Sequence, residues 1–281
     1  LTEGKAPSLC RGAEQKLKFL KLIMRTRRFQ WLWTKLLRVA LYGMNMGPID
    51  VRTDGEEALI EKLLARLPRN AVLFDVGANK GDYASALLRH AGPDARIFAF
   101  EPGARTFELL KAAVPERTNL RLEQIGFGES AGTLELFAGG QGSALASLYP
   151  RRVFDNPAMP AQAAERVEIL RIDDYCRAHF IERIHLLKLD VEGHELPVLK
   201  GCGELLTQDR IDVIQFEFGG CNIDSRTFLK DFFDLLSPKY SLFRMVADGL
   251  VPMGAYRESY EIFDTNNYVA SRDVSLLNGM Y

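Results

Sequence analysis

The chain reads as an α/β protein with a mostly parallel sheet and helices on both faces. Short apolar runs alternate with amphipathic stretches from residue 72 to residue 236. The first run, Val72 to Val76, ends in an acid and a glycine turn, and a helix pattern opens directly after it. No internal repeat competes with this pitch.

Taken in order, residues 56–67 have helical periodicity until Pro68 stops it. A strand over 72–76 leads to a helix over 82–90. The Gly92-Pro93-Asp94 turn then opens a strand over 96–100. A helix over 104–113 and a strand over 120–125 follow. Residues 133–137 read as an extra strand, and 139–165, rich in Gly, Ser, Ala and Pro, as a long substrate loop or lid. Strand 166–172 and a short helix 173–178 come next. Alternation resumes with strand 185–189, helix 195–206, strand 212–216 and helix 227–236. Residues 240–245 and 260–263 fit a closing hairpin at the sheet edge.

The 281 residues suffice for one large α/β domain, expected over 55–281, plus an appendage over 1–54. With 36 basic and 37 acidic side chains the net charge is −1, so charge alone predicts no nucleic-acid partner. Cys10, Cys176, Cys202 and Cys221 form no C-x-x-C pair, which fits reduced thiols in a cytoplasmic protein. No apolar run is long enough to predict a spanning helix. The appendage is basic and helical: from Gln15 to Ile49 there are eight Lys and Arg residues and no acid, interleaved with Trp31, Trp33 and several leucines. Two readings stand for it. It packs on its own domain or on a second subunit of a homo-oligomer, the commoner use of such helices, or it contacts the inner face of an anionic membrane peripherally.

The turn after the first strand, Phe74-Asp75-Val76-Gly77-Ala78-Asn79-Lys80-Gly81, brings backbone close to a nucleotide-like ligand. Its glycines are spaced G-x-x-x-G and not G-x-G-x-x-G, and a carboxylate at the strand tip repels a pyrophosphate. The same carboxylate suits a ligand carrying an ammonium and a sulfonium, as S-adenosylmethionine does. Glu101, at the tip of the second strand and followed by Pro102, has the place of a ribose-binding acid.

A second cluster, Lys188-Leu189-Asp190-Val191-Glu192-Gly193-His194-Glu195, ends the fourth main strand. Asp190, Glu192 and His194 are its candidate bases for a hydroxyl nucleophile. The plainer alternatives are a buried ion network around Lys188 and a histidine that only caps a helix. Glu217 and Asn222 would join Asp190 as oxygen ligands if Mg²⁺ were bound, though strand-tip carboxylates more often hold hydroxyls or backbone, and no resident metal is expected.

Together these residues resemble the FkbM family of S-adenosylmethionine-dependent methyltransferases. The resemblance rests on 74–81, Phe100-Glu101-Pro102, Ile172-Asp173-Asp174-Tyr175, 187–195 with Val198-Leu199-Lys200-Gly201, and Phe216-Glu217-Phe218. It implies the class I methyltransferase, Rossmann-like fold: a seven-stranded, mostly parallel sheet with an antiparallel last strand. It also implies methyl transfer to a hydroxyl oxygen of a sugar, polyketide or other small-molecule acceptor. By position, Asp75, Gly77, Ala78, Asn79 and Gly81 would cradle the methionine part of the cofactor. Glu101 and Pro102 would meet the ribose, and Ile125 and Gly126 the adenine. Where the family often shows an Asn-Ala element after the third strand, this chain has Gln124-Ile125-Gly126-Phe127-Gly128. A catalytically silent scaffold and an NAD-dependent oxidoreductase are the alternatives, the latter opposed by Asp75.

Overall fold

A computed structural model of the protein describes residues 24–47, 53–138, 146–150 and 162–281. The chain divides between Met44 and Asn45 into two compact units. The first contains helix α1 (Gln30–Gly43), entered through a single 3₁₀ turn over Arg27–Phe29. Residues 1–23 and 48–52 of the basic arm lie outside the described residues, as do 139–145 and 151–161 of the expected lid.

The second unit begins with α2 (Glu56–Leu64). It continues through β1 (Val72–Val76), α3 (Asp82–His90), β2 (Arg96–Phe100), α4 (Ala104–Ala113) and β3 (Leu120–Glu123). Next come β4 (Gly126–Phe127), β5 (Gly132–Ala138), β6 (Gln162–Leu170) and α5 (Ile172–Ala178). Then follow β7 (Ile184–Leu189), α6 (Glu195–Lys200), α7 (Gly203–Thr207), β8 (Ile211–Phe218), α8 (Cys221–Ser225) and α9 (Leu229–Leu236). β9 (Ser241–Val246), β10 (Gly249–Pro252) and β11 (Asn266–Ser271) complete it.

Eight strands form the main sheet in the order β10-β9-β11-β8-β7-β1-β2-β3, with β11 antiparallel between β8 and β9. This is the mostly parallel sheet with an antiparallel last strand that the resemblance implies, widened by one strand. Strand register sorts the core. Leu73, Ile97, Leu186 and Val213 align across one face, and Phe74, Phe98, Leu187 and Ile214 across the other. All eight are buried, because helices cover both faces and period-2 alternation sends apolar side chains each way. Phe74 sits in an aromatic cluster with Phe98, Phe100 and Tyr175.

The structure corrects three of the expected elements. Residues 260–263 are not a strand: the hairpin partner of β9 is β10, joined to it through the two residues Ala247 and Asp248. The helix expected over 195–206 breaks into α6 and α7 at Gly201, where a Cβ would lie 2.2 Å from the Gly128 carbonyl oxygen. Asp173 then caps α7, its carboxylate accepting from the Glu204 and Leu205 backbone N–H groups. The third strand stops at Glu123, and Gly126–Phe127 instead joins a separate three-stranded sheet, β4-β6-β5.

Candidate active site

From β1 the chain runs through β2 to β3 on one side, then returns to place β7 and β8 on the other. The carboxyl ends of β1 and β7 therefore mark a switch point, where open α/β sheets bind ligands. A cavity of about 370 Å³ opens there. Gly77, Ala78, Asn79, Glu101, Pro102, Ile125, Gly126, Asp190, Glu192 and Glu217 line it, so the structure brings most of the expected site residues together. Asp75, Gly81, His194 and Asn222 lie outside the lining.

The glycine turn is shaped largely by the protein's own packing. Gly77 has φ 83°, and a Cβ there would stand 1.8 Å from the Asp190 carbonyl oxygen. The two sequence clusters thus touch through backbone, and no side chain fits between them. Gly77 and Ala78 donate their N–H groups to Phe100 O, and Asp190 N–H donates to Val76 O. Gly81 serves helix packing: a Cβ would meet Val114 and Leu110 of the neighbouring helical segment.

Behind the turn, Asp75 is fully buried and Lys188 Nζ stands 3.4 Å from its Oδ1 and 3.2 Å from Asp190 Oδ2. The ammonium also lies over the Tyr83 ring. Asp75 is therefore a structural counter-charge for Lys188, one layer below the cavity wall. Burial alone would lower the Lys188 pKa, but Asp190, Asp75 and Glu56 together push it well up. One ammonium does not neutralise three carboxylates, and the excess appears on the acids. Burial pushes Asp75 up against the pull of Lys188.

Glu56, which sequence reading passed over, lines the cavity from α2. It accepts a hydrogen bond from Gln215 Nε2, and Gln215 Oε1 in turn accepts from Tyr83 OH at 2.8 Å. Burial, opposed by Lys188 and reinforced by Asp54 and Asp190, raises its pKa to about 8. Its sequence signal was faint: an acid in the first turn of an amphipathic helix normally answers the helix dipole.

Glu101 is buried at the tip of β2. Its Oε2 accepts from Asn79 N–H at 3.1 Å and its Oε1 from Gly103 N–H at 3.0 Å, and burial raises it to about 7. Asn79 has φ 47°, and among the described residues its buried Oδ1 has no hydrogen-bond partner. An unmet acceptor in a cavity wall is a place for a ligand donor.

Beyond β7, Glu192 and Gly193 both take left-handed φ values, 53° and 99°. Glu195 holds this turn: its Oε1 accepts from Val191 N–H at 2.9 Å and Gly193 N–H at 3.1 Å. His194 faces away from the cavity. Its Nδ1 pairs with Tyr149 OH at 2.9 Å, and its Nε2 packs against Gly128. Burial lowers its pKa to about 4, so the ring is neutral at neutral pH. Its place is that of a strut between the turn and residues 146–150. Ser147 reinforces the same junction by donating its hydroxyl to Glu192 O at 2.7 Å. Ala146 and Leu148 complete the cavity wall, so the described part of the expected lid does face the site.

The three oxygen ligands that the sequence offered in the event of Mg²⁺ binding do not all face the cavity. Asn222 Oδ1 is engaged by Gly219 N–H at 2.8 Å, outside the cavity lining. The groups that do converge are Glu192, Glu217 and Cys221, with ligand atoms within 4.8 Å of one another. A thiol beside two carboxylates is a poor match for Mg²⁺, which prefers oxygen ligands alone. Glu217 is pushed well up from the usual carboxylate range by burial and by Asp190, Glu192 and Glu195.

Comparison with known proteins follows this geometry. Residues 75–238 match the methyltransferase FkbM domain family. The chain is 34% identical to methyltransferase sdnD of Sordaria araneosa, over 50% of this chain and 64% of that protein. It is 26% identical to hexuronic acid methyltransferase AglP of Haloferax volcanii, over 59% of this chain and 64% of that one. To 2-O-methyltransferase NoeI of Sinorhizobium fredii it is 29% identical, over 50% and 60% respectively. The chain thus spans less than two thirds of the length of each.

Proposed function

The chain belongs to the FkbM methyltransferase family, and we propose that it transfers a methyl group from S-adenosylmethionine to a hydroxyl oxygen of a sugar or other small-molecule acceptor. The observation that carries this reading is the charge of the cavity. Six carboxyl groups line it (Glu56, Asp82, Glu101, Asp190, Glu192 and Glu217) against two amines, Lys80 and Lys188, and the raised pKa values of Glu56 and Glu101, about 8 and about 7, mark protons that an entering cation would displace. That excess calls for a cationic ligand and opposes the pyrophosphate of a dinucleotide.

The residues fit the cofactor. Asn79 Oδ1 offers an unmet acceptor, Glu101 stands where a ribose diol would donate, and Glu56 and Asp190 flank the end suited to an ammonium. Ile125, Gly126 and Leu148 give an apolar wall for a base. When bound, S-adenosylmethionine supplies an electrophilic methyl carbon, so the protein's task is to align an acceptor and take its proton. We assign that proton to the carboxylate of Asp190 or Glu192, both on the cavity side of the turn that Glu195 holds. Glu217, on the same cavity wall, is placed to hydrogen-bond the acceptor. The name of AglP supports a sugar acid as the acceptor class, and that of NoeI supports an oxygen as the methylated atom.

Thermal denaturation with S-adenosylmethionine, S-adenosylhomocysteine or NAD, each alone, tests the cofactor. Stabilisation by the first two and not by NAD is expected; stabilisation by NAD alone, or by none of the three, overturns the reading. Mass spectrometry of uronic acids and hexoses incubated with enzyme and S-adenosylmethionine then reads the O-methyl product.

A further inference from the structure

Among the described residues of its own unit, helix α1 leaves a broad apolar surface uncovered. None of its residues is buried, and Trp31, Leu37, Val39 and Tyr42 are 59%, 58%, 68% and 86% exposed. At 3.6 residues per turn the sequence falls into stripes. Leu32, Leu36, Val39 and Gly43 form one, and Trp33, Leu37 and Ala40 extend it into a band. The adjoining stripe is Trp31, Lys35, Arg38 and Tyr42, with Lys35 Nζ 5.1 Å from the Trp31 ring centroid. Arg25, Arg27 and Arg28, all exposed, precede the helix.

We propose that α1 docks on an anionic lipid bilayer and lies in its interface. The apolar band would enter the acyl boundary, with Lys35, Arg38 and the three arginines at the headgroup phosphates. Trp31 and Tyr42, amphipathic rings beside the cations, suit the same level. Charge disfavours two of the other occupants. Pairing with a second copy of this helix would set five cations against five, with no acid between Gln15 and Ile49 to offset them. A nucleic acid would satisfy the cations and leave the apolar band in water. An anionic bilayer satisfies both. Length excludes the spanning orientation: 14 residues rise about 21 Å, short of the roughly 30 Å hydrocarbon core. Among the described residues no helix is long and apolar enough to cross a membrane.

The chain has two tryptophans, Trp31 and Trp33, both in α1, so intrinsic tryptophan emission reports on this helix alone. The full chain is titrated with phosphatidylcholine vesicles containing or lacking phosphatidylglycerol. A blue shift and co-sedimentation are expected with the anionic vesicles and not with the neutral ones, weakening as salt is added. Reversing two charges, Lys35→Glu with Arg38→Glu, weakens partitioning on the order of a hundredfold. The far-ultraviolet circular dichroism and unfolding midpoint of that variant stay unchanged, which separates lost docking from lost folding. No shift with anionic vesicles, or equal binding to neutral ones, overturns the proposal. So does a lipid-free dimer with already blue-shifted emission, which would identify a second copy as the occupant.

Discussion

Replacing Glu56 with glutamine removes one ionisable group from the cavity while keeping its shape and an oxygen for Gln215 to bond. Glu56 has a pKa of about 8 in the folded protein against 4.5 for an unburied glutamate. At about 1.4 kcal/mol per unit, that difference is worth about 5 kcal/mol. The sign follows from proton counting. Between pH 4.5 and about 8 the folded state holds a proton that the unfolded state has released, so stability falls as pH rises through this window. Ligand-free wild-type protein should therefore lose on the order of 5 kcal/mol through this group by the upper end of the window, and Glu56→Gln should lose none of it. Urea denaturation at acid and mildly alkaline pH reads the effect as a shift in midpoint. The variant should be the more stable protein at alkaline pH and should bind S-adenosylmethionine more weakly. An unchanged pH slope, or a variant less stable than wild type above the Glu56 pKa, would refute the assignment of that charge.

Gly77→Ala puts a Cβ 1.8 Å from the Asp190 carbonyl in a left-handed residue; loss of several kcal/mol of stability, or failure to fold, is expected by circular dichroism. Asp190→Asn should lower kcat by roughly 10²–10⁴-fold if Asp190 takes the acceptor's proton, with cofactor affinity changed less than about tenfold; an unaltered kcat moves that role to Glu192. His194→Asn should leave the shape of the pH–rate profile intact, because the ring, held near pKa 4, does not titrate around neutrality; loss of an inflection between pH 6 and 7 would restore His194 as a base.

The clustering of the candidate site was legible where it is local in sequence. The Asp75 to Gly81 turn, Glu101 and the Asp190 cluster each follow a strand, and strand order alone brings their ends together. What escaped depends on contacts between distant segments. Gly77 looked like a ligand cradle, and its strongest constraint is Asp190 O, over a hundred residues away. Asp75 looked like a ligand group, and the buried Lys188 claims it. Glu56 comes from a helix before the first strand, where an acid is unremarkable until Gln215 and Tyr83 are seen beside it. Tyr149, in the loop, pairs with His194 Nδ1, a contact between segments 45 residues apart that no local pattern announces. The hairpin was misplaced because the aromatic run at 260–263 reads as a strand, while the short connection after β9 pairs it with β10 instead.

Calorimetric titration of S-adenosylmethionine in buffers of different ionisation enthalpy, near neutral pH, tests the central claim most directly. Entry of a cation among Glu101, with a pKa of about 7, and Glu56, of about 8, should drive those carboxyls to release protons. The expected result is one-site binding with net proton release that shrinks in Glu56→Gln and in Glu101→Gln. Absence of binding, or binding with proton uptake, contradicts the account of an acidic cavity built for a cationic methyl donor.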